Sequence, residues 1–249
     1  MINSDSHKYH YLQRSFILHS YPYKENSLIA NILTYEKGRI DVLAKGVKNS
    51  KKGIFNLLQP FQQVALSYSY KNNLSILTDV EKISVTTPVL NGKSLYCAYY
   101  INELLLRLLP VNETCEDVFH LYEKTLQNLH LNDYLESVLR QFEIQLLSAL
   151  GYQINFAINI STNQPIEINK SYLFDPTEGP FEPSSQDNIT TDKMYPKVSG
   201  KTLYALNLLD FNDKNVVKES KILLRLVLQQ YLGAKPLKSR DLFKKLYGK

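Results

Sequence analysis

Four lysines and no acid fall within the ten residues "AKGVKNSKKG", 44–53. Lys45, Lys48, Lys51 and Lys52 are close enough along the chain to meet several phosphates of one nucleic-acid strand. Each phosphate neutralised releases condensed counterions, which favours binding at low salt. Arg39, on the segment leading into this run, extends the same cationic footprint. A solvated basic linker is the competing reading on composition alone. Single strands also need aromatic platforms on which bases stack, and Tyr21, Tyr23, Tyr35, Phe55, Phe61, Tyr68 and Tyr70 are the candidates, with strand alternation sending some of them into a core. A second basic stretch closes the chain: residues 235–249 hold Lys235, Lys238, Arg240, Lys244, Lys245 and Lys249 against Asp241.

Catalytic constellations are not legible. The sequence has no glycine loop ending in Lys-Ser or Lys-Thr, no GxGxxG, no HExxH and no GxSxG. His7 and His10 are spaced to share a helical face but lie in a polar N-terminal stretch, while His19, His120 and His130 are isolated. Glu25, Asp41, Glu103, Glu116, Asp117, Glu143, Asp210 and Asp213 are scattered, so only the fold could assemble a magnesium site for a nuclease. Cys97 and Cys115 are too few for a structural zinc site. The expectation is no enzyme, no cofactor and no metal. With two cysteines, no basic-then-apolar leader and no long apolar run, the chain reads as a reduced, soluble, cytoplasmic protein. Its net charge of +5 suits an anionic partner without requiring one.

These residues need elements to hold them. Alternating apolar residues in "RSFILHSYPY" and "SLIANILTYEKGRIDVLAKGV", with Glu36-Lys37-Gly38 as a tight turn, predict three strands. "FQQVALSYSY" and "LSILTDVEKISV" predict two more around Lys71-Asn72-Asn73. Five short antiparallel strands imply a small barrel of the OB-fold kind. After Pro88 the period changes: "SLYCAYYINELLLRLLP" is apolar on nearly every side, which predicts a central buried helix stopped by Pro110. Helices near Cys115–Leu129 and Tyr134–Leu150 complete a bundle, the last with Gly151 at its C′ position. Residues 153–200 are rich in turn formers. "GKTLYALNLLDF", "ESKILLRLVLQQYLG" and "AKPLKSRDLFKKLY" predict three further helices.

Taken in order, "SYPYKENSL", "KGRIDVLAKGV" and "LLQPF", then "YINELLLRLLP", "QFEIQLLSALGYQINF" and "YLGAKPLKSRDLF", resemble the RecO family of bacterial DNA repair and recombination mediators from about Gln13 to Tyr247. The resemblance implies an α+β multidomain chain: a five-stranded OB-fold barrel over 1–86, a central α-helical bundle over 87–152, and a C-terminal zinc-ribbon-like region with helices over 153–249. Many relatives carry four cysteines in that last region. This chain has none after Cys115, so "YLFDPTEGPFEP" lacks zinc ligands, and packing of Tyr172, Phe174 and Phe181 must replace part of the metal's contribution.

The family implies a nucleoid-associated protein that binds single- and double-stranded DNA and anneals complementary strands without ATP. It also implies contact with the acidic C-terminal tail of single-stranded DNA-binding protein, and action with RecR to load RecA. On matching positions, Arg39, Lys45, Lys48, Lys51 and Lys52 would hold DNA. Lys235, Lys238 and Arg240 would add a second basic surface, or instead pack and cap the terminal helix around Pro236 and Ser239. Arg107 and Arg140, beside Leu106 and Leu139, would form a cationic rim and apolar groove for the acidic tail, or pair with Glu103 or Glu143 on their own helices. The alternative function is an OB-fold protein for structured RNA, separable by competition between RNA and single-stranded DNA.

Overall fold

The computed structural model describes residues 8–49, 53–71, 74–83, 88–131, 133–183 and 195–247. Five strands form a closed barrel in the order β1-β2-β3-β5-β4: β1 (Lys8–Tyr23), β2 (Ser27–Thr34), β3 (Gly38–Ala44), β4 (Gln63–Lys71) and β5 (Leu74–Lys82). All neighbours are antiparallel except β3 and β5, whose parallel pairing of Val42 with Ser75 and Leu43 with Ile76 closes the ring. β1 starts earlier than its polar N-terminal half predicts, because Lys8–His10 pair with Tyr68–Tyr70 of β4.

Alternation sorts the barrel's side chains. Ile17, Ala30, Ile32, Ile40, Val42, Val64 and Leu66 point inward and pack together. Their neighbours Phe16 and Leu18 on β1 are equally buried but point outward, where helices cover them. Phe16 lies with its ring centroid 5.1 Å from both Phe119 and Tyr122. The short helix α1 (Ile54–Leu57) plugs one end of the barrel, with Val47 and Leu58 buried in the core and Ile54 and Leu57 packed against it.

Contacts divide the chain into two compact units. The first, residues 1–131 with 237–249, holds the barrel, α1, α2 (Gly92–Leu108), α3 (Glu116–Leu131) and the terminal helix α7 (Lys238–Tyr247). Helix α2 opens with an Asn91–Ser94 capping box and buries Cys97, Ala98, Ile101, Leu104 and Leu105, matching its apolar sequence. It ends at Leu109, which turns extended before Pro110. Asn102 ties helix to strand: its amide nitrogen donates to the Leu18 carbonyl at 2.7 Å, and its oxygen accepts from the Tyr122 hydroxyl at 2.7 Å. On α3, Glu123 accepts two bonds from Arg14 (2.6 and 2.8 Å) and one from Gln63 at 2.8 Å.

The second unit, 132–236, holds α4 (Leu135–Ala149), α5 (Gly200–Leu208), α6 (Lys214–Leu232) and five short strands. Gly151, at φ +78°, closes α4 in a Schellman arrangement, in which its N–H bonds the Ser148 carbonyl and the Tyr152 N–H bonds the Leu147 carbonyl. Strands β8 (Ser171–Asp175), β9 (Gly179–Phe181) and β10 (Lys197–Ser199) form one sheet in the order β10-β8-β9, and β6 (Ile158–Asn159) pairs with β7 (Gln164–Pro165). This is the cysteine-free region, and aromatic packing fills it. Tyr172 and Phe174 are fully buried, Phe174 stacks on Phe156, and the Phe181 ring lies 5.0 Å from that of Tyr195. Among the described residues no cluster of three His, Cys, Asp or Glu side chains could hold a metal, and no helix is long and apolar enough to cross a membrane.

Candidate nucleic-acid interface

The chain leaving β3 alternates anchors with cations. Ala44 and Val47 are buried in the barrel, whereas Lys45 and Lys48 are exposed. Gly46, at φ +67°, makes the turn between them in a conformation that other residues adopt at a cost. The backbone N–H of Lys48 donates to the Asn26 carbonyl (3.3 Å) and its ammonium to the Glu25 carbonyl (3.1 Å). These bonds lace the lysine loop to the β1–β2 turn, which contributes its own cation. The Lys24 ammonium lies 5.6 Å from the centroid of the Tyr23 ring. Lys51 and Lys52 lie outside the described residues.

Lys24 was missed by the lysine-run pattern because it sits twenty residues away in sequence. Its signal was the turn in "SYPYKENSL", where a cation follows an aromatic strand end. Arg39 belongs elsewhere. Its Nε donates to the Leu109 carbonyl at 3.1 Å, its Nη1 lies 3.9 Å from Asp41, and its side chain is 15% exposed. Arg39 therefore holds the end of α2 against the barrel, a use that a strand arginine does not announce.

The aromatic candidates separate cleanly. Tyr68 sits in the barrel core, where burial, followed by the charge of Glu36, pushes its pKa up to about 12. Phe61 packs against Tyr99, and the Tyr35 hydroxyl donates to Glu116. Tyr21, Tyr23, Phe55 and Tyr70 remain exposed. Of these four, Phe55 lines an open cleft together with Pro22 and Lys48, whereas Tyr21 and Tyr23, which flank Pro22 on β1, fall on the opposite face of the strand by alternation.

In the terminal stretch the structure shows capping and packing. Glu103 of α2 accepts from the Lys238 N–H (2.9 Å), the Ser239 N–H (2.8 Å) and the Ser239 hydroxyl (2.6 Å). The Arg240 guanidinium lies over the Tyr100 ring. Lys235 and Lys238 are exposed. For the proposed tail groove, Leu106 and Arg107 are half-buried in the last turn of α2. Leu139 is half-buried on α4. Arg140 is buried and paired with Glu143 of its own helix at 2.6 Å, with side chains 7% and 0% exposed, so its charge is spent inside the second unit and supplies no rim. Burial raises the pKa of the Cys115 thiol, and both cysteines are free thiols.

Comparison with known proteins agrees along almost the whole length. Residues 10–85 match the family model "Recombination protein O N terminal", and residues 90–241 match "Recombination protein O C terminal". The chain is 40% identical over 235 residues to the DNA repair protein RecO of Nitrosococcus oceani, covering 94% of this chain and 93% of that one. It is 37% identical over 232 residues to the DNA repair protein RecO of Haemophilus influenzae, covering 93% and 95%.

Proposed function

Because the chain belongs to the RecO family of DNA repair proteins, we propose that it is a recombination mediator working without catalytic chemistry. It binds single- and double-stranded DNA through its barrel and anneals complementary strands without ATP. With RecR it loads RecA onto strands coated by single-stranded DNA-binding protein, in the cytoplasm and at the nucleoid. One observation carries the DNA reading: α2 and α3 cover the outward face of β1, while Lys24, Lys45 and Lys48 stay exposed around the β1–β2 turn, with Tyr23 beside Lys24 and Phe55 on one cleft with Lys48. Cations for phosphates and aromatic faces for bases are what sequence-independent strand binding needs.

Annealing follows physically. A protein that screens the charge of two strands raises their local concentration, and base pairing then supplies the driving force, so no nucleotide site is required. Leu106 and Arg107 suit the acidic tail of the coat protein by combining apolar and cationic character. Lys235, Lys238 and Arg240 serve a second strand only secondarily, since Arg240 lies over Tyr100 and the Lys238 N–H bonds Glu103.

The test is annealing of complementary oligonucleotides coated with single-stranded DNA-binding protein, without ATP, over a salt series. Acceleration that disappears when the coat protein's acidic tail is deleted supports recruitment and annealing as one mechanism. Binding of naked strands with no annealing of coated ones, or preferential competition by structured RNA, refutes it.

A further inference from the structure

Beside the lysine loop the barrel surface opens into a cleft of about 410 Å³ lined by Ser20, Pro22, Leu28, Lys48, Phe55 and Gln59. Gly53, at φ +66°, starts the four-residue helix α1, whose Ile54 and Leu57 pack on the core, as does the following Leu58. Phe55, between them, is left 41% exposed. An aromatic ring thus stands outside a segment whose other apolar residues are used for packing, and its burial does not explain its presence.

The polar groups around it are held in place. The Ser20 hydroxyl donates to the Leu58 carbonyl at 2.6 Å, fixing its oxygen. The Gln59 amide nitrogen donates one N–H to the Phe55 carbonyl at 3.0 Å, and the amide retains a second N–H and an oxygen able to meet a polar edge. Lys48, the one charged residue lining the cleft among the described residues, uses one of its three ammonium donors on the Glu25 carbonyl, which positions the charge and leaves donors for an anion.

A flat apolar face, an amide at its edge and a cation at its rim suit a nucleotide whose base is unpaired. We infer that this cleft is a nucleobase pocket, in which a single base of a bound strand stacks on Phe55 against Pro22 with its adjoining phosphate on Lys48. The inference rests on the DNA-binding reading and adds to it a site selective for single strands, because a paired base in duplex presents no free face. The rim charge favours this occupant over an acidic peptide with an aromatic end only in combination with the amide edge, so such a peptide serves as the competing probe.

The full chain is titrated with a thymidine oligonucleotide and with an abasic strand of equal length. Phe55→Ala is expected to weaken binding of the base-bearing strand roughly ten-fold, the order of one lost base stack, and to leave the abasic strand unaffected. Phe55→Tyr is expected to restore the affinity. Lys48→Ala weakens both strands and lowers the salt slope by about 0.7, whereas Phe55→Ala leaves the slope unchanged. Equal affinity of wild type and Phe55→Ala for the base-bearing strand overturns the pocket, as does equal weakening for both strands, or displacement of a base-quenched fluorescent strand by the acidic aromatic peptide at a lower concentration than by free strand. Failure of the wild-type chain to bind either strand instead defeats the DNA-binding reading.

Discussion

Glu103 holds the start of α7 with a single carboxylate, so its removal has a local and calculable consequence. Truncation by Glu103→Ala leaves the backbone N–H groups of Lys238 and Ser239 and the Ser239 hydroxyl without their acceptor. The loss of a side-chain cap costs about 0.5–2 kcal/mol, and the negative charge at a helix N-terminus adds roughly 0.3–1 kcal/mol. Ser239 is buried, so its hydroxyl does not fully recover the bond from water, which places the total at about 2 kcal/mol. That free energy corresponds to a roughly 30-fold increase in the population of chains with α7 opened. Hydrogen exchange followed by mass spectrometry reads it directly: amides of residues 241–247 exchange roughly 30-fold faster, while barrel amides keep their rates. Glu103→Gln, which retains an acceptor oxygen but not the charge, falls between. Unchanged exchange in α7, or a uniform acceleration across the barrel, refutes the assignment of Glu103 as the cap.

Gly38→Ala is expected to destabilise the first unit by at least about 2 kcal/mol in urea unfolding, because φ is +63° there and an added Cβ lies 1.7 Å from the Glu113 carbonyl oxygen. Arg39→Ala and Lys48→Ala should separate: the first lowers the melting temperature with little change in the salt slope of DNA binding, and the second lowers the slope with little change in melting temperature. Glu219 responds to acid. Burial raises its pKa, but bonds from Thr202 and from the Ser199 hydroxyl and N–H outweigh this and hold it below its ordinary 4.5. Its contribution is therefore complete above that value and is lost as pH falls through the lower folded one, so Glu219→Gln should flatten the stability profile below about pH 4.5.

The barrel strands were legible because alternation and turn residues are local signals. The number of strands pointed to a small barrel, but the parallel pairing that closes it was not legible, since Val42 and Leu43 meet Ser75 and Ile76 from a segment over thirty residues away. Helix α6 begins at Lys214 rather than near Glu219 because Asp213 caps it, its carboxylate accepting from the Asn215 N–H at 2.7 Å. The polar residues after Asp213 hid the helical period. At the site, Lys45 and Lys48 were legible as a cluster, whereas Arg39 looked alike in sequence and found a carbonyl seventy residues away. Phe55 and Phe61 show the same limit. They are six residues apart, and one faces solvent while the other packs on Tyr99, a choice made by the left-handed backbone at Gly53 and Phe61.

The proposed placement of the interface follows from how β1 is used. Its residues alternate between two hydrophobic environments, Ile17 in the barrel and Phe16 and Leu18 under the helices, so the stretch from Ser15 to Leu18 is closed to solvent. Arg14, which would otherwise present a cation on that face, is neutralised by two bonds to Glu123 and lies 5.1 Å from the centroid of Phe119. Arg14 and Lys48 are both exposed cations of the barrel. What distinguishes the two is the partner each cation has: a carboxylate for Arg14, a backbone carbonyl for Lys48. An ion pair cancels the field a phosphate would feel, whereas a carbonyl bond fixes the ammonium and keeps its full charge. In the reading proposed above, the end of the barrel where chain anchors alternate with such cations is therefore a part of the described surface that keeps its attraction for nucleic acid after the fold has met its own needs.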